Sequence, residues 1–224
     1  VRISILITAA ALLFFSMDAQ ALSVRRMSQD VKLPSQGVVE QQAFTNLIVA
    51  TTNLVLATNA GPTAATALAV TTFTAQPDSP RNLTITPTGT TTDVEACVVT
   101  VAGTNFFGKA ITETFTFLAN ASTAVTGAKA FASVTSASFP ANCESGAFAA
   151  TWTIGVGEKI GLKRCMAEAG AFIQSSIDGA KETTLATVVA DSDEVEKNTV
   201  DFNGTMDAAS DFKAYFIQNF GCFP

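Results

Sequence analysis

The sequence has no histidine anywhere in its 224 residues. That removes the usual base of a Ser-His-Asp triad and the commonest metal ligand together. Charge is scarce as well: 14% of residues are Asp, Glu, Lys or Arg, against about 25% in an average soluble domain. Cations are the scarcer sign, with 13 Lys and Arg against 19 Asp and Glu and a formal net charge of −6. Basic residues adjoin only at Arg25-Arg26 and Lys163-Arg164. A polyanion would be repelled on average, so no nucleic-acid partner is expected. Tryptophan and tyrosine occur once each, at Trp152 and Tyr215. This leaves little from which to build an aromatic sugar platform, and no small-molecule substrate is expected. The cysteines, Cys97, Cys143, Cys165 and Cys222, lack the short spacings of a zinc site. Their even count is compatible with two disulfides in any of three pairings, or with four free thiols.

What fills the chain instead is Thr, Ala, Ser, Val and Phe. Thr, Val and Phe favour strands, and threonine suits the wet face of a sheet. Seventeen phenylalanines argue for a packed core and against disorder. From Ala69 onward the apolar residues recur with the period of a strand. Residues 70–74 read as a strand closed by Pro77 and Pro80. In 82–86, Leu83 and Ile85 share one face, with Thr84 and Thr86 on the other. In 94–104, Cys97, Val99 and Val101 share a face. A turn over 105–109, with Gly108 free to take positive φ, leads into 111–117. There Ile111, Phe115 and Phe117 oppose Thr112, Thr114 and Thr116, the cleanest alternation in the chain. Further strands are expected at 129–139 and 148–156, with Trp152, Ile154 and Val156 on one face and Gly155, Gly157 and Gly161 marking a bend. Asp178-Gly179 predicts a hairpin joining 171–177 to 182–189, with a short helical turn before it at 163–169. Asn203-Gly204 is another turn, and 211–220 is a last strand. Eight to ten short strands without helix alternation predict an all-β fold, an antiparallel β-sandwich or jelly-roll-like domain over 66–224. Residues 22–65 read as an extended N-terminal arm holding one strand or short helix.

The amino terminus is open to three readings. Arg2, the apolar run ISILITAAALLFFSM over 3–17, and Asp18-Ala19-Gln20-Ala21 have the three parts of a secretory signal peptide cleaved before Leu22. Alternatively Met27 begins the protein and the preceding residues are a misassigned extension. In the third reading the segment is retained as a membrane or partner-binding helix, although the run is shorter than the ~20 residues a spanning helix needs.

No motif for catalysis stands out, so no catalytic, cofactor-binding or metal-binding residue is assigned and the protein is read as non-enzymatic. Gly155-Val156-Gly157-Glu158-Lys159 lacks the Lys-Ser/Thr ending of a phosphate loop. Asp191, Asp193, Glu194 and Glu196, with Asp201 and Asp207 nearby, form an acidic stretch. It does not have EF-hand spacing and reads as a solvated loop. Asn82-Leu83-Thr84, Asn120-Ala121-Ser122 and Asn203-Gly204-Thr205 match the glycosylation pattern, as chance allows in a chain rich in Asn and Thr.

Several segments together resemble a type of tailed-bacteriophage virion protein, of the head-decoration or cement kind. They are PRNLTI (80–85), VTVAGTNFFGKAITETF (99–115), GAKAF (127–131) with VTS (134–136), GVGEKIGL (155–162), and NGT (203–205) before 212–217. The resemblance runs from Pro80 to the carboxy terminus. It implies a capsid-bound β-domain on the outside of the virion, with the major capsid protein as partner, a homo-oligomer (a trimer at threefold positions) and no catalytic residue. The leader and paired cysteines motivate the alternative, a secreted or surface-anchored bacterial β-protein such as an adhesin or filament subunit.

Overall fold

The alternating apolar and threonine positions become fourteen strands among the residues described by the structure, a computed structural model. Those residues are 38–62, 66–144 and 150–218, all within one unit that begins at Val38. The leader, the first part of the proposed arm and Cys222 lie outside them. Every strand pairing is antiparallel. The fold is all-β and sandwich-like.

One sheet has the order β3 (Leu68–Val70), β8 (Ser133–Phe139), β5 (Cys97–Thr104), β6 (Ala110–Phe117). A second runs β12 (Thr187–Val189), β13 (Thr199–Asp201), β9 (Thr151–Gly161), β4 (Arg81–Thr88), β7 (Val125–Phe131), with β2 (Thr51–Ala60) also paired to β9. A third runs β1 (Val39–Phe44), β14 (Phe212–Ile217), β10 (Phe172–Ile177), β11 (Ala180–Lys181).

Two cores result. In the first, Val99, Val101, Ile111, Phe115 and Phe117 from β5 and β6 pack with Leu83, Ile85, Trp152 and Ile154 from β4 and β9. Trp152 lies edge-on to Phe117, ring centroids 4.9 Å apart, and 5.4 Å from Phe139. The Cys97–Cys143 disulfide belongs to this core. Cys165 is disulfide-bonded as well. The second core gathers Phe44, Ile160, Leu162, Phe172, Val200, Phe202, Phe212 and Phe216. At about 1.5–3 kcal/mol for each large apolar side chain fully buried, both cores contribute substantially.

Strand β9 serves both cores, and it bulges where they meet. Arg81 pairs with Ile160 and Leu83 with Val156, so two steps along β4 span four along β9. Side chains from β4 satisfy the backbone that the bulge releases. The buried Arg81 guanidinium donates to the Gly157 carbonyl from both Nε and Nη2, and from Nη1 to the Ile48 carbonyl at 2.7 Å. Asn82 Oδ1 accepts the Lys159 N–H at 3.0 Å, while its Nδ2 donates to the Gly127 carbonyl. The expected bend at Gly155, Gly157 and Gly161 is therefore a bulged strand that continues to Gly161. The first two glycines are there for close approach. A Cβ at Gly155 would sit 1.7 Å from the Thr51 carbonyl oxygen, and one at Gly157 would meet the Asn82 amide.

Three other readings change. The single strand expected at 129–139 is two, β7 and β8, which pair with different sheets on either side of Ala132. The turn at Asp178-Gly179 forms, with φ of 51° and 80°. Its return strand β11 is only two residues long, and β12 pairs with β13 instead. Within 22–65, residues 39–60 form not one strand but two, β1 against β14 and β2 against β9, with Phe44, Val55 and Leu56 buried. Among the described polar residues of this stretch, Gln41, Thr45, Asn46, Thr52 and Asn53 are exposed. Gln42 is buried and bonds the Gly161 carbonyl and Lys163 N–H.

Candidate functional site

The outer face of the β8-β5-β6 sheet is built from the residues that alternate with the first core. Val98, Thr100, Ala102 and Thr104 point outward from β5, and Thr112, Thr114 and Thr116 from β6. The registers Thr100↔Thr114, Ala102↔Thr112 and Val98↔Thr116 place them in rows that continue into β8 through Thr100↔Ser138 and Ala102↔Ser136. None of these residues is charged. Strands about 4.8 Å apart and eight residues long give this face roughly 400 Å², about half of the ~800 Å² that each partner commits to a standard interface. Beyond one end of the sheet, Phe106 and Phe107 at the β5–β6 turn stand 44% and 39% exposed. They are stacked edge-on at 5.2 Å. Exposed aromatics at a hairpin tip are effective contact anchors.

The inward exception on β6 is Glu113. Its Oε1 accepts the N–H groups of Ala128 and Lys129 at 2.6 and 3.2 Å, fastening β7 to the edge of the first sheet. Burial pushes this carboxyl upward from its ordinary value, and the two N–H bonds and Lys129 pull it back.

The β9 bulge opens a hollow of about 320 Å³ lined by Thr51, Thr52, Asn82, Thr84, Glu158 and Asp201, among others. Burial, and next the charge of Glu158, raise the Asp201 carboxyl. Here the structure brings two carboxylates together that lie far apart in sequence. The lining offers hydroxyl, amide and acidic groups and the Lys159 ammonium, which partly offsets the rise at Asp201, and no aromatic ring on which a sugar would stack.

The acidic stretch is not simply a solvated loop: Asp191 and Glu194 gather on Lys197, and Glu194 and Glu196 on Lys129. Asp191 Oδ1 accepts the N–H groups of Asp193 and Glu194, both at 2.8 Å, and these bonds lower its pKa. Glu194 is paired with Lys197 and lowered by that contact. Glu196 turns inward, 3.5 Å from Lys129 Nζ. Asp207 caps a turn through the N–H groups of Ala209 and Ser210. Among the described residues no group of three Cys, Asp or Glu side chains is placed to hold a metal ion. Of the glycosylation matches, Asn82 is buried with its amide engaged at the bulge.

Comparison with family models, with curated proteins and with solved structures finds nothing that matches this chain. The residues that sequence reasoning passed over are Arg81, Glu113, Glu144 and Asn198. No local pattern in the sequence marks any of them as turned inward. Asn198, for example, is buried and bonds the backbone at Met166, Asp191 and Glu194.

Proposed function

We propose that this is a non-enzymatic structural protein that coats a larger shell, in the manner of a phage head-decoration or cement protein. The observation that carries the reading is the uncharged, threonine-rich outer face of the β8-β5-β6 sheet. It is regular, exposed and free of the charges that normally keep a sheet face solvated. Desolvating threonine costs far less than desolvating Lys or Glu, so the face suits burial against a partner. Its area is too small for a tight one-to-one complex, which fits a protein held by many weak copies. The partner is then the major capsid protein, bound on the outside of the virion by a homo-oligomer. Residues 99–115, which contribute most of this face, are also the longest segment of the resemblance.

The disulfides favour a second reading, a secreted or cell-surface β-protein, because such bonds persist in oxidising compartments and Cys97–Cys143 and Cys165 are oxidised. Quantitative mass spectrometry of purified particles separates the two. The shell reading expects many copies at a fixed ratio to the major capsid protein, and particles lacking it to burst at lower temperature. Absence from particles, with the protein found in the culture medium or on the cell surface, establishes the second reading instead.

A further inference from the structure

Beside the β5–β6 turn, Asn105 and Lys129 each reach one oxygen of the Glu196 carboxylate. Asn105 is 1% exposed. Its Oδ1 accepts the N–H groups of Phe107 and Lys109 at 3.0 and 3.1 Å. Its Nδ2 donates to Glu196 Oε2 at 3.4 Å. The other oxygen of Glu196, itself 9% exposed, lies 3.5 Å from Lys129 Nζ on β7. Lys129 also stands 3.7 Å from Glu194, a carboxylate already engaged by Lys197. Taken singly these contacts are a turn cap and an ion pair. Taken together they are an amine, a carboxylate and a carboxamide in series, with the amide oxygen held by two backbone donors.

That is the set of parts an acyl transfer needs: a nucleophile, an acid–base group touching both partners, and N–H donors aimed at the oxygen that becomes an oxyanion. We propose that Lys129 and Asn105 become joined by an intramolecular amide bond, with Glu196 carrying the proton. Glu196 Oε1 takes a proton from the Lys129 ammonium. The free amine attacks Asn105 Cγ, and the electron pair of the C=O bond moves to Oδ1, where the Phe107 and Lys109 N–H groups receive it. Collapse of the intermediate breaks the Cγ–Nδ2 bond as Glu196 returns its proton to the leaving nitrogen. The nitrogen departs as ammonia and enters solution as ammonium once it takes up the amine's second proton. One C–N bond forms and one breaks, so no oxidant, cofactor or activated donor is required. Glu196 holds the two reacting groups on its two oxygens, and the high effective concentration that an unactivated amide needs follows once Nζ closes to about 3–3.5 Å from Cγ. Ala132 N–H binds the Thr104 carbonyl at 2.8 Å, and Glu113 holds the backbone of Lys129, so β7 and the hairpin stay in fixed register. The product ties β7 covalently to the root of the exposed Phe106-Phe107 tip.

The test is the mass of the full chain after reduction, followed by peptide mapping. The expected result is a species lighter by one ammonia, with a branched peptide joining residue 105 to residue 129. Glu196→Gln and Lys129→Arg should each restore the full mass while circular dichroism shows the β-fold retained. If Glu196→Gln does not fold, the wild-type map and Lys129→Arg decide. Separate, unlinked Asn105 and Lys129 peptides from folded wild-type protein overturn the proposal. So does an ammonia loss that persists in Lys129→Arg, since it marks a succinimide at Asn105.

Discussion

Inside the first core the indole Nε1 of Trp152 donates to the Glu144 carboxylate at 3.0 Å. The second carboxylate oxygen, Oε2, is buried and has no hydrogen-bond partner among the described residues. Burial pushes the Glu144 pKa upward, the Trp152 bond pulls it down, and nearby Asp93 adds to the rise. The raised value means that the folded protein resists ionising a group that the unfolded chain ionises freely. Stability is therefore undiminished in acid, where both states are protonated. It falls as the pH rises from the ordinary glutamate range to the raised folded value, and stays lower above it.

Replacing Glu144 with Gln removes that penalty and keeps an acceptor for Trp152. Glu144→Gln should melt at a higher temperature than the wild type at pH 7. The difference should shrink toward zero as the pH falls through the ordinary glutamate range. Thermal melts across pH 3–8, a span of about five units around those values, give the comparison. A variant less stable than wild type at neutral pH would show that the charged form is the one the core favours.

The alternation on β6 predicts opposite outcomes for neighbouring substitutions. Phe115 is 1% exposed in the first core, whereas Thr114 faces outward. Phe115→Asp should cost about 3 kcal/mol or more, as an unpaired buried charge does. Thr114→Asp should change stability by no more than about 0.5 kcal/mol. Urea unfolding of both variants measures the contrast. The same Thr114→Asp change should weaken attachment to a shell, because it places a charge in the middle of the proposed contact face.

How much of this was legible in the sequence follows from the physics of each element. Strands β4, β5 and β6 have one wet face and one dry face, so threonine alternates with Val, Ile and Phe and the side-chain orientation can be read directly. The Asp178-Gly179 turn is similarly explicit, because positive φ at two successive residues restricts what can occupy them. The β9 bulge was not legible. Glycine at 155 and 157 signals either a bend or a close approach, and only the partner strands decide between them. Of β1 and β2 the sequence suggested only one strand or short helix, because their buried side chains are few and spaced among amides. The pairing of Glu158 with Asp201, and the Asn105–Glu196–Lys129 series, depend on register between distant strands, which no local pattern encodes.

Arg81 should be among the least replaceable side chains. It is fully buried, and burial lowers its pKa while Asp78 and Glu158 raise it again. Its fork satisfies the Gly157 and Ile48 carbonyls and reaches Asp78 at 3.3 Å. Lysine cannot reproduce a planar fork, so Arg81→Lys should lose about 2 kcal/mol or more by leaving a buried carbonyl unmet. Arg81→Met should cost about 3–5 kcal/mol, the range for breaking a buried pair by removing one partner. Asp78→Asn should cost less than Arg81→Met, because the Asp78 carboxylate is 17% exposed and water can replace part of what it loses. Denaturant titrations rank the three variants. A near-neutral Arg81→Met would show that the bulge carbonyls are met by water.

The disulfide makes the last prediction, and it bears on function. Cys97 and Cys143 are 46 residues apart in sequence, and closing a loop of that length in the unfolded chain is worth about 4 kcal/mol at most in the chain-entropy picture. Cys97→Ala with Cys143→Ala should therefore lower stability by about 2–4 kcal/mol, mostly through the unfolded state. Urea unfolding of the oxidised wild type and the double variant reads this directly. The redox state of the native protein then discriminates between the two functional readings. Cells or particles are lysed into denaturant with an alkylating agent, and the alkylated cysteines are counted by mass. Protein made and assembled in a reducing cytoplasm should have Cys97 and Cys143 alkylated, and the shell would have to hold without this crosslink. Protein matured in an oxidising compartment should have both protected, and the secreted reading gains at the expense of the cytoplasmic shell. If the cysteines prove alkylated and the double alanine variant is as stable as wild type, the core alone holds this end of the sandwich together. The crosslink would then have no part in either role.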